Sequence, residues 1–208
     1  MPGHRPTEMP SWRRAEAWIL LMYTGMRAGE LCQLLPADFR FDADIPHLKV
    51  RKTDDSGKAT KSVKNKTSVR DVPLHPDLIT LGLRAFVERC AKRHSGERLF
   101  GCFRLGGPGK FTDGITQFSR RYLQALKLHA PGRANHVWRH TFVDRLRKVG
   151  CPDEEIGALV GHSAGTMTSK YGGAFPLSRK RDALLKLSFG FDVVNVLGGP
   201  FWCKQPKF

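Results

Sequence analysis

Three separated segments of this chain carry the arginine and histidine side chains that a phosphoryl-transfer site uses. They are TGMRAGEL at 24–31, HVWRHTF at 136–142 and LVGHSAGTMTSKY at 159–171. Guanidinium groups bind phosphate oxygens through paired hydrogen bonds, and imidazoles donate hydrogen bonds or transfer protons. The three segments together therefore favour chemistry at a phosphate ester.

Two arginines in these segments, Arg27 and Arg139, could hold such a phosphate without a metal ion. Two fixed guanidiniums can neutralise the charge that spreads over the non-bridging oxygens in the transition state. His136 precedes Arg139 by three positions, so a helix would place both on one face, where they could address the same phosphate. A surface salt bridge is the ordinary alternative for a single arginine.

The charge of the whole chain points to a polyanionic partner. Among 208 residues, 35 Lys and Arg outnumber 19 Asp and Glu, which gives a formal charge of +16 and a pI near 10.1. Each phosphate that a basic protein neutralises releases condensed counterions. Charge alone is also compatible with a ribosomal-type or a membrane-surface protein. The apolar fraction of 40% predicts a folded globular chain.

Cysteine usage and the amino terminus indicate an intracellular protein. The five cysteines show no C-x-x-C pair and no zinc-site spacing, so we expect reduced thiols and no metal. The first residues have no apolar signal core, and no run of eighteen apolar residues occurs. We expect a cytoplasmic protein without a membrane segment.

The site residues must be positioned by helices and a small sheet. Apolar residues recur at helical spacing over 12–35, interrupted by a turn at Thr24 and Gly25, which predicts two helices with Arg27 at their junction. Three segments are typical of short strands, and a lysine-rich surface loop separates the last two. They are FRFDADI at 39–45, HLKVRKT at 47–53 and SVRDVPL at 68–74.

The rest of the chain predicts mostly helix, at 77–93, 112–128, 136–150, 152–161, 166–171 and 177–187. Gly150 and Gly161 are placed to end two of these helices, and Asn135 or a neighbour to cap one. Tyr23 and Tyr122 lie in apolar helical patterns, which predicts core positions, and we expect His140 to be a core or capping histidine. The fold class is α+β, mostly helical with a three-stranded antiparallel sheet.

The motifs resemble those of the tyrosine recombinase, or phage integrase, family. The first segment resembles the family's Arg box, HVWRHTF its His-x-x-Arg box, and the third its Gly-His and Tyr box. KNKTSVRDVPLHP at 64–76 resembles the family's lysine hairpin. The four motifs occur in the family's order over about residues 15–187. The resemblance implies the family's catalytic-domain fold and a DNA integrase that needs no metal or nucleotide cofactor.

The resemblance also implies a nucleophile and a general acid. Tyr171 follows His162 by the family's nine residues, and a phenol is a good leaving group when the strands are rejoined. Tyr171 would form a 3′-phosphotyrosyl link, while His162 steadies the phosphate. Lys64 would protonate the departing 5′-hydroxyl. Lys66 lies two residues away on the same strand face, and the sequence does not separate the two lysines.

The same resemblance assigns His136 and Glu30. His136 would donate to a phosphate oxygen or help with proton transfer. Glu30 matches the acidic position of the Arg box and would hold an arginine or the lysine hairpin in place; a plain helix-surface glutamate is the alternative. Arg70, Thr67 and Ser68 could contact backbone phosphates, without a privileged role.

The organisation expected from the family is a catalytic domain at 1–187 and a C-terminal tail at 188–208. Family members normally have a helical core-binding domain before the catalytic domain. Because the chain begins almost at the first catalytic helix, we expect an excised fragment, a natural truncation or the remnant of an inactivated element. The partners expected are double-stranded DNA and further copies of the chain in a tetramer, with no membrane. The apolar tail would dock on a neighbour or fold back.

Three other functions are compatible with parts of the sequence. A type IB topoisomerase uses a similar set of residues, although the Tyr box and the short length favour a recombinase. A recombinase relic would bind DNA without strand transfer. A basic RNA-binding module would need aromatic-rich strands for stacking, which are lacking here. The DNA site, the direction of recombination and accessory proteins are not encoded in any recognisable motif.

Overall fold

The computed structural model describes residues 11–53, 68–93, 96–100, 112–128, 135–162 and 175–203. The α-helices within these ranges are α1 (Ser11–Thr24), α2 (Ala28–Leu31), α3 (Pro76–Thr80), α4 (Leu83–Arg93), α5 (Asp113–Ala125), α6 (His136–Lys148), α7 (Asp153–Val160), α8 (Leu177–Leu184) and α9 (Val193–Val196). Two 3₁₀ helices span Pro36–Asp38 and Phe201–Cys203. The described chain is mostly helical, as the sequence predicts.

A three-stranded antiparallel sheet, also predicted, lies between α2 and α3. Its strands are β1 (Phe39–Arg40), β2 (His47–Val50) and β3 (Arg70–Pro73), in the order β1-β2-β3. Leu48 pairs with Val72, and Val50 pairs with Arg70. Because side chains alternate along a strand, Arg70 and Val72 share one face, and both are buried. β3 therefore turns an arginine inward.

The core of the fold packs α1, which precedes Arg27, against α6, which carries Arg139. Leu20 and Leu21 of α1 are fully buried, as are Phe142 and Leu146 of α6. Burying one such side chain stabilises a fold by about 1.5–3 kcal/mol. Gly25 ends α1 with a φ of +58°, a conformation that glycine adopts without steric cost. The predicted turn at Thr24 and Gly25 is confirmed.

Trp18 joins α1 to α5 and α6 through an aromatic cluster. Its ring centroid lies 4.9 Å from that of Phe118, 5.1 Å from Tyr122 and 5.2 Å from Trp138. Its indole nitrogen donates to Ser119 Oγ at 2.9 Å. The prediction that Tyr122 is a core residue is wrong, since it is 46% exposed and covers only the edge of the cluster.

The predictions for His140 on α6 and for Asn135 just before this helix have different outcomes. His140 is exposed, so the prediction of a core or capping histidine is wrong. α6 buries positions 139, 142 and 146, and His140 falls outside that face. Asn135 is the N-cap residue as predicted, but its side chain bonds to Ser119 and Thr116 on α5 instead of the helix backbone.

Several predicted elements are shorter or interrupted in the structure. The helix predicted at 77–93 breaks into α3 and α4 at Gly82, whose φ is +92°. The second helix, predicted to run to Leu35, ends at Leu31, and Leu35 before Pro36 adopts an extended conformation. The first strand stops at Arg40, because residues 42–44 are all exposed and lack the alternation of a half-buried strand.

The described part of the C-terminal tail folds back on the body, one of the two expected arrangements. Phe189, Val193 and Trp202 are buried, and the backbone N–H of Trp202 donates to Leu81 O at 3.0 Å. Arg89 on α4 donates to the Trp202 carbonyl. Over the described residues, no helix combines the length and the apolar character needed to span a membrane.

Candidate active site

Arg27 lies at the turn between α1 and α2, where Gly25 reverses the chain. It is the N-cap residue of α2, with an extended backbone of φ −75° and ψ 146°. Its backbone N–H donates to Glu30 Oε2 at 2.9 Å, and its Nη1 donates to Glu30 Oε1 at 3.0 Å and to Ser68 Oγ at 3.2 Å. Glu30 therefore fixes both the backbone and the guanidinium of Arg27.

Glu30 is buried and binds a second arginine from the sheet. Arg70 Nη2 donates to Glu30 Oε2 at 3.0 Å, and Arg70 Nη1 lies 3.3 Å from Oε1. Burial alone would raise the pKa of Glu30, but Arg70 and then Arg27 stabilise the carboxylate and hold that pKa below its usual value. These contacts agree with the expectation that Glu30 holds an arginine in place. They do not agree with the alternative, a glutamate on the exposed surface of a helix.

Arg139 projects from the first turn of α6 toward the same region. Its side chain is buried, and Nη1 donates to the carbonyl of Gly25 at 2.8 Å. Its Nη2 is also buried and has no hydrogen-bond partner in the described structure. Burial, followed by the positive charges of Arg27 and Arg70, lowers the pKa of Arg139 to about 10. Arg139 therefore remains charged at pH 7, with a donor that an anion could satisfy.

His162 follows the end of α7, where Gly161 adopts a left-handed conformation with φ +69°. The backbone N–H of His162 donates to Gly157 O at 3.0 Å, and the side chain is exposed. Partial burial lowers the pKa of His162, as do the positive charges of Arg139, Arg27, Arg70 and Arg147. These charges place His162 in the same positive field as the buried arginines.

His136 is the first residue of α6, one helical turn before Arg139. Its side chain is exposed, and its ring centroid lies 6.4 Å from that of His140. The structure thus confirms the helix that carries the His-x-x-Arg motif. His136 remains at the surface, whereas Arg139 turns inward.

A cleft of about 650 Å³, lined in part by Arg70 and His162, opens between the sheet, the C-terminal end of α7 and the N-terminal end of α8. Its basic and imidazole side chains outnumber its single acid, Asp71; they are Lys49, Arg51, Arg70, His162 and Lys180. His162 and Phe175 immediately flank residues 163–174, while Arg51 and Val69 lie close to the ends of 54–67. A positively charged cleft of this kind favours an anionic ligand.

The remaining predicted site residues, Lys64, Lys66 and Tyr171, lie outside the described residues. Their roles stay predictions, and so does the predicted helix at 166–171. Of the other five, the structure brings Arg27, Glu30, Arg139 and His162 into one electrostatic neighbourhood.

The inward placement of two cations, Arg70 and Lys180, was not predicted from the sequence. Arg70 shares the buried face of β3 with Val72, a signal that strand alternation could have given. Lys180 shares its face of α8 with Ala183 and Leu184, at helical spacing. Its Nζ donates to Asp71 O at 3.1 Å, and burial lowers its pKa. A basic residue that falls within the apolar repeat of a strand or helix therefore indicates a charged group with a partner inside the protein.

The model of the phage integrase family matches residues 6–175. No curated protein sequence matches the chain.

Solved structures are similar to this fold at low identity. One is the XerH site-specific recombinase bound to difH substrate in a pre-cleavage complex, at 19% identity and a TM-score of 0.52, covering 76% of this chain and 42% of that one. Another is the integrase from mycobacterium phage Brujita, at 16% identity and a TM-score of 0.52, covering 93% and 64% respectively. The chain spans less than two thirds of either relative.

Proposed function

This chain belongs to the phage integrase family, and on that premise we propose that it is a site-specific DNA recombinase that cleaves and rejoins strands through a 3′-phosphotyrosyl intermediate. The observation that carries the proposal is the buried Nη2 of Arg139, which has no partner in the described structure and is held beside Arg27. A buried donor without an acceptor costs about 1–3 kcal/mol, which a bound phosphate oxygen would recover.

The arginines would act on the scissile phosphate. Arg27 is held by Glu30 and Ser68 and keeps 21% of its side chain exposed, whereas Arg139 has a buried Nη2 without a partner in the described structure. Their paired donors would stabilise charge on the non-bridging oxygens more strongly in the transition state than in the ground state. His136 and His162 would add hydrogen bonds to the same phosphate from the solvent side.

In the proposed cleavage step, the phenolic oxygen of Tyr171 attacks the phosphorus as its proton passes to the imidazole of His136. A Tyr–O–P bond forms, the bond from phosphorus to the 5′-oxygen breaks, and Lys64 or Lys66 gives a proton to the departing 5′-hydroxyl. Attack by a 5′-hydroxyl of a partner strand reverses these events and releases Tyr171. The energy of the broken bond is kept in the phosphotyrosine, so no nucleotide is consumed.

The partner would be double-stranded DNA, with the cationic cleft following its backbone. The net charge of +16 supports an interaction that weakens as salt rises.

We also propose that copies of the chain form a tetramer on two DNA sites and that the protein acts in the cytoplasm. Residues 1–187 would form the catalytic domain and 188–208 the tail, whose exposed Phe191 and Val196 offer apolar area to a neighbour.

Covalent trapping on nicked suicide DNA tests the function directly. Wild-type protein and Tyr171→Phe are incubated with candidate attachment sites, and the products are separated on a denaturing gel. We expect a wild-type adduct that needs no added metal, and no adduct from Tyr171→Phe. An equal adduct from both proteins would contradict the nucleophile. DNA binding without any adduct would support a non-catalytic binding protein, and sequence-independent relaxation of supercoils would support a topoisomerase.

A further inference from the structure

Arg70 connects three parts of the candidate site from inside the protein. It belongs to β3, the strand that follows the lysine-rich segment, and its side chain is only 3% exposed. Its Nη1 and Nη2 bind both oxygens of Glu30, and its Nε donates to Leu159 O at 2.7 Å. Nη1 also donates to Ser68 O at 2.8 Å. The carboxylate is thereby shared between Arg70 and Arg27.

These contacts leave few hydrogen-bond donors of Arg70 available to a substrate. Four of its five N–H donors address the protein, and the guanidinium is buried. Arg27, by contrast, is 21% exposed. Planar, bidentate pairing fixes the orientation of both partners, which a single ammonium group cannot do. Arg70 therefore sets the position of Glu30, and Glu30 sets the position of Arg27.

The bond to Leu159 extends this arrangement to the third motif. Leu159 lies in the last turn of α7, three residues before His162, and its carbonyl is among the acceptors that a helix leaves unsatisfied at its end. A cation at a helix C-terminus is favourable. Ser68, bonded to Arg70 through its carbonyl and to Arg27 through its hydroxyl, begins the described chain after the lysine-rich segment.

We propose that Arg70 is a positioning residue for strand cleavage, which holds Arg27 through Glu30 and ties the Arg box to the start of β3 and to the end of α7 before His162. This inference rests on the proposed function. Arg70 contributes no donor to the phosphate; it acts by keeping Arg27 in the orientation that the transition state requires. This proposed role differs from the contact with a backbone phosphate that the sequence allowed for Arg70.

Arg70→Lys tests the proposal, because it keeps the charge and loses the paired geometry. Single-turnover cleavage of suicide DNA is measured at saturating protein, together with the Kd for the same duplex. We expect the rate constant to fall about 10-fold to 100-fold, since a misplacement near 1 Å can cost about 100-fold, while Kd changes less than threefold. A merely structural role would lower the final adduct yield at an unchanged rate constant, and that result would overturn the proposal.

Two further variants keep the test decisive. Arg89→Lys is the matched control: Arg89 also donates to a backbone carbonyl, at Trp202, but on α4. It should cleave at the wild-type rate, and a loss equal to that of Arg70→Lys would overturn the proposal. If Arg70→Lys fails to fold, Glu30→Gln removes the shared charge with little change in shape and should give the same loss of rate at unchanged Kd; a normal rate would count against the proposal.

A double-mutant cycle separates positioning from independent catalysis. If Arg70 acts through Arg27, the double variant Arg27→Lys/Arg70→Lys should cleave no more slowly than Arg27→Lys alone. Multiplicative losses would overturn the positioning role. A wild-type protein that forms no adduct at all would instead contradict the proposed function, so the two failures are distinguishable.

Discussion

Arg139 carries a buried positive charge that its surroundings neutralise only in part. One nitrogen donates to the Gly25 carbonyl, and another has no partner in the described structure. Arg27 and Arg70 add repulsion, and Glu30 offsets some of it. Such an arrangement costs free energy in the unliganded protein, a pattern typical of residues kept for function. The Arg139 side chain is therefore better suited to binding an anion than to stabilising the unliganded fold.

Replacing this residue should separate activity from stability. Arg139→Met keeps the apolar stem and removes the charge, so we expect cleavage to fall at least about 100-fold and the free energy of unfolding to stay constant or rise by about 1 kcal/mol. Single-turnover cleavage and urea unfolding measure the two effects. Arg145→Met, on the same helix, is the control and should retain cleavage. Near-normal cleavage by Arg139→Met would contradict the arginine clamp.

His162 reports the electrostatic field of the site. Because burial and nearby guanidiniums lower its pKa, the imidazole should be mostly neutral at pH 6.5 and gain its proton only at lower pH. An NMR titration of the ring protons should give a midpoint below 6.5 in the free protein. Arg139→Met removes the largest of the charge effects and should raise the midpoint, as should bound duplex DNA. A midpoint at or above 6.5 in the free wild type would contradict this field.

At the scale of elements, the turn after α1 couples the core to the site. Gly25 has a positive φ, its carbonyl accepts from Arg139, and a Cβ there would lie 2.4 Å from Phe142 Cδ1. The contact with Phe142 lies in the packed interface of α1 and α6. One glycine thus permits both the close helix packing and the placement of Arg139.

The surroundings of Gly25 predict that a single added methyl group lowers the free energy of unfolding substantially. Gly25→Ala should lower the free energy of unfolding by about 3 kcal/mol, since a left-handed Ala costs about 1–2 kcal/mol and overpacking a core about 1–3 kcal/mol. Gly150→Ala is the matched control: its φ is +76°, but nothing lies within 4 Å of the added Cβ. It should cost only about 1 kcal/mol. Equal losses in urea unfolding would show that Phe142 moves away without cost.

At the scale of the molecule, the tail closes the fold over α3 and α4. Trp202 is 1% exposed, and its backbone bonds both to Leu81 and to Arg89. The aromatic residue thereby covers the break between the two helices. By contrast, Val196 is 69% exposed on the same tail. The tail therefore has one face that belongs to the core and one that faces outward.

The two faces should respond differently to truncation of their side chains. Trp202→Ala should lower the free energy of unfolding by about 3–5 kcal/mol, because a large side chain leaves an unfilled cavity. Val196→Ala should change it by less than about 0.5 kcal/mol. Denaturant unfolding followed by circular dichroism compares the two. A small loss for Trp202→Ala would mean that the tail is held by its backbone bonds and its other buried side chains.

The sequence by itself determined the family motifs, the mostly helical fold with its three-stranded sheet, and the turn at Gly25. These features depend on local periodicity, on glycine's access to positive φ and on motif order, all of which are readable along the chain. The helix break at Gly82 and the exposure of Tyr122 were not predicted, because an isolated glycine can also lie within a helix and an apolar pattern does not show which of its positions are covered.

The internal network of the site was decided by the tertiary structure alone. Arg70 bonds to Glu30 across 40 positions and to Leu159 across 89, and Arg139 reaches Gly25 across 114. No local spacing encodes such pairs, since they form only when the sheet, α2, α6 and α7 pack together and exclude water. The sequence thus supplied the charged residue types, and the fold decided which guanidinium is held within the protein and which remains available to a phosphate.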